Sequence, residues 1–230
     1  WSLLGQSFGG FCSVHYLSAA PQGLASVLIA GGLPPLRGHA DAVYQATHKR
    51  IQNRNDRYYE RYPEDEVLAK RIVQHLHTHP TLLPSGTHLT PRVFQQLGMR
   101  FGMSDAFEDI HYLLESAFIE GPNGAELSFR FLRGVDNHLP FDTNPIYAIL
   151  HEAIYCQNTA SRWSAHRVSS DFPMFADPIN GRVNFTGEMV YPWMFEDYAH
   201  LKPMAEAAEI LAKKDDWPSL YDPEVLSQNA

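Results

Sequence analysis

The sequence predicts an α/β fold in which a strand, a helix and a second strand are followed by a large, all-helical insertion. Three observations predict it. A short apolar run, Trp1 to Leu4, leads into Gly5-x-Ser7-x-Gly9 and then into a helix-compatible stretch, Phe11 to Leu17. A second apolar run, Ser26 to Ala30, ends at Gly31-Gly32. From His39 to about His200 the apolar residues follow helical spacing, with almost no convincing strand.

The first of these is the nucleophile-elbow pattern. A strand must turn sharply into a helix and leave one side chain exposed at the bend. That residue sits in a strained backbone conformation, so its neighbours at minus two and plus two must be small. Gly5 and Gly9 meet that need, and Gly10 lets the helix pack closely. Ser7 then presents its hydroxyl at the strand's carboxyl end. The Phe8 N–H opens the helix and points into the same space, where it can stabilise an oxyanion. Trp1 to Leu4 is expected to be a buried strand, and Cys12 a buried small apolar residue. Gly31-Gly32 should lie at the carboxyl edge of the sheet beside Ser7, stiffened by Pro34-Pro35.

The insertion is read in order. Asp41 to Tyr62 is long, polar and aromatic, and Pro63 is expected to stop it. Glu64 to His77 carries an apolar stripe of Val67, Ile72, Val73 and Leu76. Thr90-Pro91 looks like an N-cap with proline at the first helical position, opening a helix to about Phe101. Ser104 should cap a fourth helix to Phe118, before a turn at Gly121-Pro122-Asn123-Gly124. Glu126 to Gly134, Ile146 to Cys156 and Ser161 to Val168 are further expected helices. Leu201 to Lys214 is amphipathic and ends in two lysines, as the helix dipole prefers. His75, His77 and His79 alternate, but at a helix end alternate residues diverge. They read as a solvated terminus, and no metal site is expected.

Composition narrows the class. The 230 residues are 44% hydrophobic and 19% charged, which suits one globular domain or one with a large insertion. A net charge of -8 argues against a nucleic-acid partner. Two cysteines make no disulfide framework, and no run approaches a membrane span. The expectation is a cytoplasmic protein with no cofactor, no membrane partner and an open oligomeric state. No strands precede the elbow strand, so the chain reads as an internal segment of a longer protein.

Four stretches carry a resemblance. They are Trp1 to Phe11 with its elbow; Gly31-Gly32-Leu33-Pro34-Pro35; Leu150-His151-Glu152-Ala153-Ile154-Tyr155-Cys156-Gln157; and Phe185 to Phe195, with Gly187-Glu188-Met189 at its centre. In this order the chain resembles the proline iminopeptidases of the α/β-hydrolase superfamily, most of all their larger bacterial and fungal subgroup. The resemblance implies a partial α/β-hydrolase core over residues 1–38, a helical cap or lid over 39–199, and a segment returning to the core over 200–230. It implies an exopeptidase that takes peptides with an N-terminal proline. Ser7 would form an acyl-enzyme, with Phe8 N–H as one oxyanion donor. A second donor, from an upstream His-Gly-Gly-Pro-Gly loop, and the triad Asp and His are expected outside these residues, so the segment alone is expected to be inactive. Cap glutamates would bind the protonated amine. Glu152 is the first candidate, with Glu188 ahead of Glu196 for the second, and Gly31 and Gly32 beside the substrate. Phe8, Tyr155, Tyr191, Trp193 and Phe195 are possible walls for the proline ring.

Two other readings compete. A lipase- or esterase-like hydrolase would use the same elbow, but buried lid carboxylates would hinder a neutral ester. A catalytically silent binding module would use the lid as its surface. Epoxide hydrolases and haloalkane dehalogenases need Asp at the elbow, so Ser7 disfavours them.

Overall fold

The computed structural model describes every residue except Asn123, Pro140 and Ala230. Strand β1 (Ser2–Gln6) runs into helix α1 (Phe8–Ala19) through the single residue Ser7. Strand β2 (Ser26–Ala30) returns alongside β1 in parallel, with Leu4 opposite Leu28 and Gln6 opposite Ala30. A crossover such as the one through α1 is what a parallel pair requires. This sheet is not buried, contrary to the expectation for Trp1 to Leu4. Trp1, Leu4 and Leu28 are 85%, 72% and 66% exposed, and within residues 1–38 Val14 and Pro34 are the buried apolar side chains. Two strands and one helix cannot cover both faces of a sheet. Cys12 is exposed for the same reason.

The core lies in the helical body that follows. Helix α2 (Ala40–Arg61) buries Tyr44, His48, Ile51, Asn55, Tyr58 and Tyr59, a stripe at helical spacing. Pro63 does not merely end α2. It is the first residue of α3 (Pro63–Thr78), where its missing N–H costs nothing. In α3 Ile72, Val73 and Leu76 are buried, but Val67 is 73% exposed and lies off the stripe. Helix α4 (Pro91–Gln95) starts as expected, with Thr90 Oγ1 accepting from the Val93 N–H at 3.3 Å, and tightens into a 3-10 segment over Gln96–Gly102. Tyr58, Phe94, Phe101, Phe107 and Phe185 form the aromatic centre, with ring centroids 4.8–6.0 Å apart for Tyr58 against Phe101, Phe107 and Phe185.

Helix α5 (Ala106–Glu115) begins two residues after Ser104, which does not cap it. The expected all-helical character then fails. Phe118–Gly121 (β3) and Gly124–Leu127 (β4) pair as an antiparallel hairpin, so Phe118 and Glu126 are strand residues. Asn123 of the predicted turn lies outside the described residues. Four-residue strands are too short to display period-2 alternation, which is why the pattern missed them. Ser128 ends the hairpin and accepts from the Phe131 N–H at 3.0 Å, opening α6 (Phe129–His138).

Helix α7 (Pro145–Leu150) is shorter than expected and gives way to a turn and a 3-10 segment over Ala153–Tyr155. Helix α8 (Ser164–Val168), α9 (Met194–Asp197), α10 (Ala205–Lys213) and α11 (Pro223–Asn229) complete the chain. The last segment lies against α1, where His15 Nδ1 is 2.5 Å from the Leu220 carbonyl and Ser18 Oγ accepts from the Asp222 N–H at 3.1 Å. Among the described residues no helix is long and apolar enough to cross a membrane.

Candidate active site

Ser7 holds φ 53° and ψ -124°, a region that costs a non-glycine residue about 1–3 kcal/mol. The surroundings fix it there. Ser7 N–H donates to the Gly31 carbonyl at 2.9 Å, and the Ser7 carbonyl accepts from Gly10 N–H at 2.9 Å. Gly32, at φ +100°, presses on the Ser7 carbonyl so closely that any Cβ would overlap it. A Cβ on Gly5 would meet the Gly9 carbonyl, and one on Gly10 the Gly32 carbonyl. Gly9 itself has open space around it. Gly31 and Gly32 therefore support the bend through their backbone. Ser7 is exposed, and the Phe8 N–H belongs to the first turn of α1, where intrahelical acceptors are absent.

An aromatic path leads from this bend into the helical body. Phe8 packs on Phe11 at 5.9 Å, and Phe11 on Tyr155 at 6.0 Å. Tyr155 meets both Tyr44 and His151 edge-on at 6.0 Å, and His151 lies 4.9 Å from Tyr147. The Tyr147 hydroxyl donates to Glu188 Oε1. Burial and the Glu188 charge raise the Tyr147 pKa, and the same two causes push Tyr155 up to about 12. Both phenols therefore stay protonated and can donate. Tyr44, His151 and Tyr147 were not among the sequence candidates. Tyr147, His151 and Tyr155 recur every four residues, a spacing that places them on one face.

The three candidate glutamates separate. Glu188 is exposed and oriented by Tyr147. Glu152 is buried, and both its oxygens are occupied: Oε2 accepts from the Ser164 N–H at 3.0 Å and Oε1 from the Ala165 N–H at 2.8 Å. Burial raises its pKa, against the opposing pull of those amides, Ser161 and Arg167. No sequence pattern marks this tie to α8. Glu196 is bonded to Arg92 Nη2 at 3.0 Å, beside the Arg92–Asp197 pair at 2.7 Å. Tyr191 and Phe195 are core residues, and Trp193 lies under Arg92 at 4.8 Å. Among the described residues Glu64, Asp65 and His111 form the one grouping with metal-ligand spacing. Asp65 there already accepts from the Tyr58 hydroxyl and meets His111 Nδ1 at 3.1 Å.

No family model matches the chain. Two curated relatives do. A proline iminopeptidase of Aeromonas sobria is 48% identical over 229 residues, which is 100% of this chain and 53% of that protein. Proline iminopeptidase aneH of Aspergillus aculeatus is 36% identical over 234 residues, 100% of this chain and 51% of that protein. The chain spans about half the length of the curated relatives it matches. Over its whole length, the chain is similar to these two proline iminopeptidases.

Proposed function

We propose that this chain carries the nucleophile and the lid of a serine exopeptidase that releases N-terminal proline from peptides. The observation that carries the reading is Ser7, held at positive φ between a strand and a helix by Gly31 and Gly32, in a chain similar throughout to two proline iminopeptidases. Residues 1–38 belong, on this reading, to an α/β-hydrolase core, residues 39–199 are the cap, and 200–230 return to the core.

Ser7 Oγ attacks the prolyl carbonyl, its proton passing to a general base, and the tetrahedral oxyanion takes a hydrogen bond from Phe8 N–H. Collapse expels the peptide's new amine and leaves the acyl-enzyme, which water hydrolyses. Among the described residues no histidine is hydrogen-bonded to Ser7, and we assign the base and its aspartate to chain outside these 230 residues. Glu188 is our carboxylate for the prolyl ammonium, because it is exposed and Tyr147 orients it. Glu152 is the second, acting from a fixed position, and Glu196 is left to Arg92. Phe8, Phe11 and Tyr155 would wall the ring. A cytoplasmic setting is part of this proposal; its support is two unpaired cysteines, one of them exposed.

The test is hydrolysis of proline arylamide by the full-length protein, beside Ser7→Ala and a short-chain ester. Serine-dependent release from the proline substrate, with the ester poor, is the expected result. Ester cleavage without proline release would move the assignment to a lipase-like enzyme, and turnover of neither would leave a binding module.

A further inference from the structure

Helix α2 carries Arg50, Arg54, Arg57 and Arg61 at i, i+4, i+7 and i+11, one stripe of a single face, with Lys49 beside them. The chain as a whole has a net charge of -8, so this concentration is not a reflection of composition. Like charges at such spacings repel and destabilise a helix. Four arginines elsewhere, Arg92, Arg100, Arg167 and Arg182, each meet a carboxylate within 3.0 Å. On the stripe Arg61 pairs with Glu108, while Arg54 meets no carboxylate among the described residues.

Arg54 is nevertheless fixed in place. Its Nη2 donates to the Met103 carbonyl at 2.9 Å, and its guanidinium carbon lies 4.5 Å from the centroid of the Phe107 ring. Its Nε is buried without a partner. Burial and the nearby Arg57 lower its pKa, the mark of a cation lacking a counter-charge. Two hollows meet at this side chain. One, of about 480 Å³, is lined by Lys49, Arg50, Asn53, Arg54, Phe101 and Gly102. The other, of about 220 Å³, is lined by Arg54, Arg57, Arg61 and Glu60, with Ser104 and Phe107.

We propose that Arg54, with Arg50, Arg57 and Lys49, forms a binding site for a doubly charged phosphoryl-type oxyanion, separate from Ser7. A planar guanidinium stacked on an aromatic ring is pre-organised to present parallel donors to such a group. A dianion also relieves the repulsion along the stripe, which a single carboxylate does less well.

The experiment is thermal unfolding and titration calorimetry of the full-length protein with inorganic phosphate, and separately with adenosine monophosphate. Ionic strength is held constant with chloride, and acetate is the monovalent control. A saturable rise in Tm with phosphate, absent with acetate, is expected. Equal response to both phosphate ligands identifies the free anion as sufficient; response to the monophosphate alone identifies a phosphoryl group on a larger molecule. Arg54→Gln should weaken binding by about tenfold or more. Arg50→Gln, an exposed change that leaves folding intact, should weaken it several-fold. Phosphate effects equalled by chloride or acetate, or unchanged in both variants, overturn the site.

Discussion

Arg167 grips Asp41 with two parallel hydrogen bonds, Nη2 to Oδ1 at 2.6 Å and Nη1 to Oδ2 at 3.1 Å. The pair joins the first turn of α2 to α8. The same guanidinium donates to the Ser161 and Arg162 carbonyls, each at 3.0 Å. It thereby pins a loop in which Asn158, Arg162 and Trp163 all hold positive φ, with the strain that implies. That loop delivers the Ser164 and Ala165 amides that hold Glu152.

Arg167→Met should therefore act on substrate binding more than on stability. The ion pair is partly exposed, at 44% and 34%, so its own loss should cost no more than about 1 kcal/mol in urea unfolding, with the lost donors to the Ser161 and Arg162 carbonyls adding to that. If Glu152 binds the prolyl ammonium, KM for proline arylamide should rise several-fold with kcat nearly unchanged, and Lys should not rescue the planar, bidentate contact. An unchanged KM in Arg167→Met, with a raised KM in Glu152→Gln, would show that Glu152 needs no such buttress.

Gly32→Ala should abolish the bend. The alanine would need φ +100° and would place its Cβ on the Ser7 carbonyl. A penalty of about 4 kcal/mol or more is expected, the range reserved for backbone collisions. Gly9→Ala, where a Cβ meets nothing, should lose far less. Paired urea denaturation curves measure the difference, and equal losses would refute the assigned role of Gly32.

The bend was legible because its pattern is local, although the demand for a small residue holds at Gly5 and not at Gly9, where a Cβ meets nothing, and Gly32 supports the bend from the next strand's end. The helical body was legible where long stripes such as Tyr44, Ile51 and Tyr58 run for several turns. What escaped depends on tertiary neighbours. Phe118–Gly121 and Gly124–Leu127 pair only with each other, Glu152 is claimed by amides twelve and thirteen residues on, and Val67 lies off the buried face of its helix. The exposure of Leu4 and Leu28 depends on what lies against the sheet, which no strand pattern encodes.

Tyr147→Phe tests the carboxylate we favour. The phenol donates to Glu188 and keeps its proton because burial raises its pKa. Removing the donor leaves the ring packing intact and frees the carboxylate to turn. A hydrogen bond to a charged group contributes about 1.5–3 kcal/mol when buried, less here because Glu188 is exposed. The expectation is a KM for proline arylamide raised about 3- to 10-fold, with hydrolysis of a neutral ester unaffected. Equal effects on both substrates would point to a packing role instead.

Buried histidines should make the protein sensitive to mild acid. His48 and His151 are buried and His138 half-buried, and burial lowers all three pKa values below the ordinary 6.5. The unfolded chain takes up its protons at about pH 6.5 while the folded chain resists. Stability is thus fully present above that pH and is lost as the pH falls below it, towards each folded-state pKa. Each histidine contributes a slope of at most about 1.4 kcal/mol per pH unit in that window. Asp65 and Glu152, whose pKa values burial raises, act in the opposite sense as they protonate. The difference between wild type and His48→Gln isolates one histidine from those carboxylates. His48→Gln also gives up the ring's stacking on Phe172 at 4.6 Å, its edge contact with Phe175 at 5.6 Å and the 2.9 Å contact with the Tyr44 carbonyl, so the readout is the pH dependence and not the absolute stability. Urea denaturation at pH 7.5, 6.5 and 5.5 should give a shallower acid loss for the variant, and parallel curves would show that His48 does not titrate on unfolding.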